Sequence, residues 1–192
     1  MKSLGSGWRS DPGWKQAEEV VQLAVFSVGD ERYAIDIMRI KEIINPLRIT
    51  RLPKAPPFVE GVIELRGVIL PLIDMRRRFE LPVTAPTRAT KYLIVKLGRA
   101  GGAAALPASA VDWLLGLVVD GVQEVIRVPK RELRPAPVLA EGGAGCWSGV
   151  HHHRGQIVLI VDLDRLFSPF ERASLDRMSA ETPGPGSAER PA

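Results

Sequence analysis

The chain has 192 residues, of which 45% are hydrophobic and 25% charged, with a formal net charge of +4. That is ordinary for a soluble protein with enough apolar material for one core or two small ones side by side, and so mild a basic excess does not call for nucleic acid. A single cysteine, Cys146, excludes an internal disulfide framework and a cysteine-based zinc site, and no apolar run approaches the roughly 20 residues of a membrane helix.

In chain order, residues 1–19 are polar, with glycine, proline and the isolated Trp8 and Trp14, and read as a mobile arm. The opening MKSLGSGWRSDPGWKQ lacks the apolar stretch of a secretory signal, which places the expected location in the cytoplasm. From Val20 to Phe167 short apolar runs rich in β-branched residues alternate with Gly, Pro and Asp: VVQLAVFSV, YAIDI, GVIL-PLID, YLIVKL, WLLGLVVD, QEVIRV and QIVLIVDL. Each has strand length. Gly29-Asp30 reads as a hairpin turn between the first two. MRIKEII fits either one helical turn or a strand entered through a bend. Many short strands with turn signals point to barrels or a sandwich. At the end, Ser168, Pro169 and Glu171 form a capping box with proline at the first helical position, predicting a short helix over 169–180. Residues 181–192 are too rich in Pro and Gly to order themselves.

The chain repeats itself. GVIELRGVILPLIDMRRRF from Gly61 aligns without gaps on GVHHHRGQIVLIVDLDRLF from Gly149, with Arg66/Arg154, Gly67/Gly155, Asp74/Asp162 and Phe79/Phe167 among the identical pairs. Upstream, KEII and QEVI put Glu42 and Glu124 in matching places. Each half therefore predicts a hairpin with an Arg-Gly turn, a buried strand, and an Asp that closes it by bonding nearby backbone amides. The expected division is two all-β units, one over about 20–85 and one over about 88–168, packed against each other.

YAIDIMRIKEI, RLPKAPPFVEGVIELRGVILPLIDMRRRF, GLVVDGVQEVIRV, LRPAP and IVLIVDLDRLF resemble the CheW-like domain from Val20 to Phe167. The resemblance implies an all-β fold of two SH3-like five-stranded barrels. It also implies a non-catalytic adaptor without cofactor or metal, which joins the cytoplasmic tips of chemoreceptors to the regulatory domain of a CheA-type histidine kinase in membrane-associated arrays, with no direct membrane contact and no nucleic acid. On the family's pattern the receptor face carries Ile40, Glu42, Leu65, Arg66, Gly67, Lys91 and Leu93, with Arg66 central. Departures lie in the second unit: the long segment GRAGGAAALPASAVDW, the glycine-rich EGGAGCWSG and His151-His152-His153.

Each feature has a plainer reading. Arg66 is a turn residue whose counterpart is Arg154. His151 and His153 share a strand face while His152 points away, so three ligands do not converge. Arg76-Arg77-Arg78 reads as a solvated edge and Cys146 as a loop thiol. Three rival readings stand beside the adaptor: a relative serving surface motility or gene expression, a small β-barrel nucleic-acid binder, and an enzyme using the three histidines.

Overall fold

The structure, a computed structural model, describes residues 19–98, 113–136 and 145–180. The arm before Glu19, most of the alanine- and glycine-rich segment, part of the glycine-rich loop and the tail after Ala180 lie outside the described residues. The strand-length runs form β1 (Val20–Val28), β2 (Glu31–Asp36), β3 (Ile40–Ile44), β4 (Val59–Leu65), β5 (Val68–Asp74), β6 (Lys91–Leu97), β7 (Trp113–Val119), β8 (Gly121–Pro129), β9 (Trp147–His153) and β10 (Gln156–Val161). A one-turn helix α1 (Met75–Arg78) follows β5, and α2 (Pro169–Ala180) follows β10. The ambiguous MRIKEII resolves into a 3-10 turn, Ile37–Arg39, capped by the Asp36 carboxylate on the Met38 amide, followed by β3.

The strands make two five-stranded sheets, one ordered β8-β1-β2-β10-β9 and the other β3-β6-β7-β5-β4. Each closes into a small barrel through one further bridge: Thr50 pairs with Val62, and Arg134 with Val150. Closure demands glycine on the closing strand. A Cβ on Gly61 would meet the Thr50 carbonyl oxygen at 2.4 Å, and one on Gly149 the Arg134 carbonyl oxygen at 2.9 Å. In each barrel one strand pair is parallel, β2 with β10 and β5 with β7.

The barrels are not consecutive in sequence, and the expected division into units over about 20–85 and about 88–168 does not describe them. The repeat β1–β5 gives its first two strands to one barrel and its last three to the other, and the repeat β6–β10 does the reverse. The cause is the short link between the second and third strands of each repeat. In the observed order these two strands run in the same direction on either side of an antiparallel neighbour. To join them within one barrel, the chain would have to return the length of a seven-residue strand, about 23 Å. Three residues, Ile37–Arg39, reach about 10 Å, and Asp120 alone separates β7 from β8. The link therefore steps across to the other barrel.

Apolar burial follows this interleaving. Each barrel has a small interior cluster: Leu23, Val25, Ala34, Ile126, Val128, Val158 and Ile160 in one, and Ile63, Leu70, Leu72, Tyr92 and Ile94 in the other. A larger cluster, including Phe26, Ile35, Phe58, Ile73, Leu93, Leu117, Leu166 and Phe167, lies between them. A barrel this small holds few side chains, so the shared core carries much of the burial that stabilises both. Helix α2 docks Leu175 and Met178 on that core and opens on the capping box, with the Glu171 amide donating to Ser168 Oγ and the Ser168 amide to Glu171 Oε2.

Candidate functional site

The β4–β5 hairpin turns at Arg66-Gly67, both with positive φ (54° and 77°), as a two-residue turn matching the twist of its strands requires. Glycine takes this geometry freely, but arginine there costs roughly 1 kcal/mol. The side chain reaches across the barrel mouth, and Arg66 Nη2 donates to Glu42 Oε2 at 3.0 Å. The guanidinium remains 77% exposed. Val68, next to the turn at the start of β5, is about half exposed, and so is Ile43, which follows Glu42 on β3 but points to the opposite face of that strand.

The structure brings together most of the residues expected from sequence. Glu42 and Arg66 touch, Leu65 and Gly67 belong to the same turn, and Ile40 begins the same edge strand, paired with Val95. Lys91 sits at the far end of that edge, with Nζ donating to Asn45 Oδ1 at 2.9 Å. Leu93 does not belong with them. Its exposure is 0%, it packs in the core between the barrels, and it has nothing to present to a partner. Strand β6 lies between β3 and β7, and the run Tyr92–Val95 is buried on both faces. Ile43 and Val68 escaped the sequence reading because apolar residues in strands read as core; the signal available was their place on an edge strand and beside a turn.

The second repeat builds the same turn. Arg154 and Gly155 have φ of 49° and 77°, and Arg154 Nη1 donates to Glu124 Oε1 at 3.0 Å. His153 Nε2 lies 3.2 Å from the same oxygen, His151 stacks obliquely on His153, and His152 faces out. Among the described residues no three His, Cys, Asp or Glu side chains converge as metal ligands.

Two plainer readings need correction. The three arginines are not a solvated edge. Arg76 pairs with Asp120, Arg77 with Glu60 and Asp74, and Arg78 donates to the Leu166 carbonyl and to Glu171 while lying over the Phe58 and Phe167 rings. Nor is Cys146 an ordinary loop thiol: it is buried against the shared core, and burial pushes its pKa up. It lines a cavity of about 400 Å³ with Tyr33, Phe79, Trp147, Arg78 and Arg165.

Residues 22–171 match the family model of the CheW-like domain. The chain is 32% identical over 149 residues to Chemotaxis protein CheW of Helicobacter pylori, covering 78% of this chain and 82% of that protein. It is 33% identical over 159 residues to Chemotaxis protein CheW of Treponema pallidum, covering 82% and 88%. The scaffolding protein TtCheW from Thermoanaerobacter tengcongensis superimposes with a TM-score of 0.67 at 28% identity, over 78% of this chain and 94% of that one. Among the described residues no helix is long and apolar enough to cross a membrane.

Proposed function

Because the chain belongs to the CheW-like domain family, we propose that it is a non-catalytic scaffolding adaptor that couples chemoreceptors to a CheA-type histidine kinase. The observation that carries this reading is the match of the family over both interleaved barrels, supported by relatives named as chemotaxis proteins and a structural neighbour named as a scaffold. An adaptor raises the effective concentration of one partner near the other and shifts the kinase only by binding its states unequally. It needs surfaces rather than a reaction centre. It works in the cytoplasm at receptor arrays, and nucleic-acid binding, a rival that rests only on the mild basic excess, is not part of this reading.

The receptor face is the Arg66 turn, with Glu42, Leu65, Gly67, Ile40 and Lys91 along the β3 edge and Val68 as an exposed apolar contact. The exposed guanidinium supplies charge and Val68 supplies burial, a combination suited to an amphipathic helix carrying an acidic residue.

Titration calorimetry of the chain with the regulatory domain of a CheA-type kinase from the same cell tests the adaptor class. A stoichiometric complex with micromolar or tighter affinity supports it. No complex with any such kinase removes the role and turns attention to the histidine-bearing second barrel. For the receptor face, Arg66→Glu weakens recruitment to a receptor cytoplasmic fragment by roughly tenfold or more, about 1.4 kcal/mol, with the fold unchanged. Unchanged recruitment by that variant removes Arg66 from the account.

A further inference from the structure

Neither repeat can complete a barrel alone, because each sends its first two strands into one barrel and its last three into the other. A repeat must therefore find a complementary repeat. In the native chain repeat β1–β5 takes repeat β6–β10, but the two are similar enough to raise a competing possibility: two copies of the chain could join like with like, first repeat to first and second to second. The linking segments carry a feature that distinguishes these cases.

Where the first repeat crosses between barrels, Arg39 meets Asp164, which follows β10, in a two-pronged ion pair: Nη1 to Oδ2 and Nη2 to Oδ1, each at 2.8 Å. Where the second repeat crosses, Asp120 meets Arg76, which follows β5, again through two contacts, Nε to Oδ1 at 2.9 Å and Nη2 to Oδ2 at 2.8 Å. Arg76 and Asp164 hold the same position in the two repeats, two residues after the strand-closing Asp74 and Asp162, whose carboxylates cap their respective amides. The carboxylate of each pair also accepts a backbone amide at the end of the first strand of a repeat, Gly29 to Asp120 and Gly98 to Asp164. The two clusters are thus built alike, with their charges exchanged.

We propose that this charge reversal is a pairing code that makes each repeat accept the other and reject its own kind. In a first-with-first assembly Arg39 would face Arg76 at both crossings. In a second-with-second assembly Asp120 would face Asp164. Both native crossing pairs, Arg39–Asp164 and Arg76–Asp120, would become like-charge contacts next to a shared apolar core, while Asp164 would keep Arg172 of its own repeat; like charges in such places discriminate between partners. The code does not distinguish pairing within a chain from pairing between chains. The tether does that, since it holds the second repeat at an effective concentration near millimolar.

Two charge-preserving variants of the full chain test this, refolded from denaturant over a range of concentrations and sized by light scattering. Arg76→Asp with Asp164→Arg makes both native crossings like-charged and both homotypic crossings complementary, so its refolded mass doubles relative to wild type. The fourfold inversion Arg39→Asp, Asp164→Arg, Arg76→Asp and Asp120→Arg restores complementarity only between unlike repeats and keeps the wild-type mass. A double variant that refolds to the wild-type mass overturns the proposal, because the pairs would then stabilise without selecting. If the double variant does not fold, the neutral set Arg39→Gln, Arg76→Gln, Asp120→Asn and Asp164→Asn decides. Discrimination is lost if its doubled-mass fraction rises severalfold at high concentration, and the code is refuted if that fraction matches wild type.

Discussion

The turns at Arg66 and Arg154 have the same backbone, the same 3.0 Å contact to a glutamate on the opposite edge strand and similar exposure, 77% and 72%. Their surroundings differ. Glu42 serves Arg66 alone among the described residues, whereas Glu124 is shared with His153, and the apolar Ile63 and Leu65 of β4 are matched by His151 and His153 on β9. The arginine–glutamate contact is therefore part of how the duplicated fold ties its barrel mouth, and an arginine at this turn is not in itself a mark of binding. Exposed apolar residues do not separate the two, since Val125 and Ile157 stand as exposed in the second repeat as Ile43 and Val68 in the first; what sets the first turn apart is Ile63 and Leu65 where the second has His151 and His153, and Val68 where it has Gln156.

Four measurements sharpen or break that contrast. The largest effect separates the exposed edge beside the first turn from the core beneath it. Leu93→Ala lowers unfolding free energy by about 2–5 kcal/mol in denaturant titrations, while Ile43→Ala changes it by less than about 0.5 kcal/mol. Equal losses would put Ile43 in the core as well. Next come the closing glycines. Gly61→Ala and Gly149→Ala each cost about 1–3 kcal/mol, with Gly61 the more severe because of its closer carbonyl and its φ of 151°. The reverse order would mean the second barrel closes more tightly than its geometry indicates. Arg66→Ala and Arg154→Ala each change stability by no more than about 1 kcal/mol, since both pairs are exposed. Only the first reduces receptor recruitment, and matching losses of recruitment from both would erase the distinction.

The smallest effect concerns acid. The guanidinium of Arg39, bonded to the Asp164 carboxyl, holds it down to about 2, well under the ordinary 3.8. A depressed carboxylate stabilises the fold above its unfolded value and loses that contribution as pH falls from about 4 toward 2. Asp164→Asn is accordingly less stable than wild type at neutral pH, and the gap narrows across that window. The site is partly exposed, so the difference is modest. A gap independent of pH would assign the effect to packing.

The strands, the Arg-Gly turns and the duplication were legible because each is written in adjacent residues: alternation, a two-residue turn, a repeated string. The α2 cap was legible for the same reason. The barrel membership was not, because strand order depends on pairings such as Tyr33 with Leu159, which no local pattern records. The arginine run was misread because its partners lie far along the chain, 44 residues from Arg76 to Asp120 and 93 from Arg78 to Glu171. Leu93 came with the family's pattern, and nothing local in the sequence argues against it, because a run buried on both faces, Tyr92–Val95, carries no alternation to tell those faces apart.

The interleaving also bears on the order of events at the ribosome. Strand β2 pairs with β10, whose residues Val158–Ile160 emerge some 126 residues after Arg32–Ala34. At roughly 5–20 residues per second, that is a wait of about 6–25 s in which the first hairpin has been made but lacks its parallel neighbour. The barrel of β3 to β7 can start sooner, since all five of its strands are complete by Val119. The nascent chain thus closes its middle before its ends: β1 gains its partner β8 by Pro129, but the β2 edge of the N-terminal hairpin stays unpaired, a target for chaperones or for a neighbouring chain, until β10 arrives.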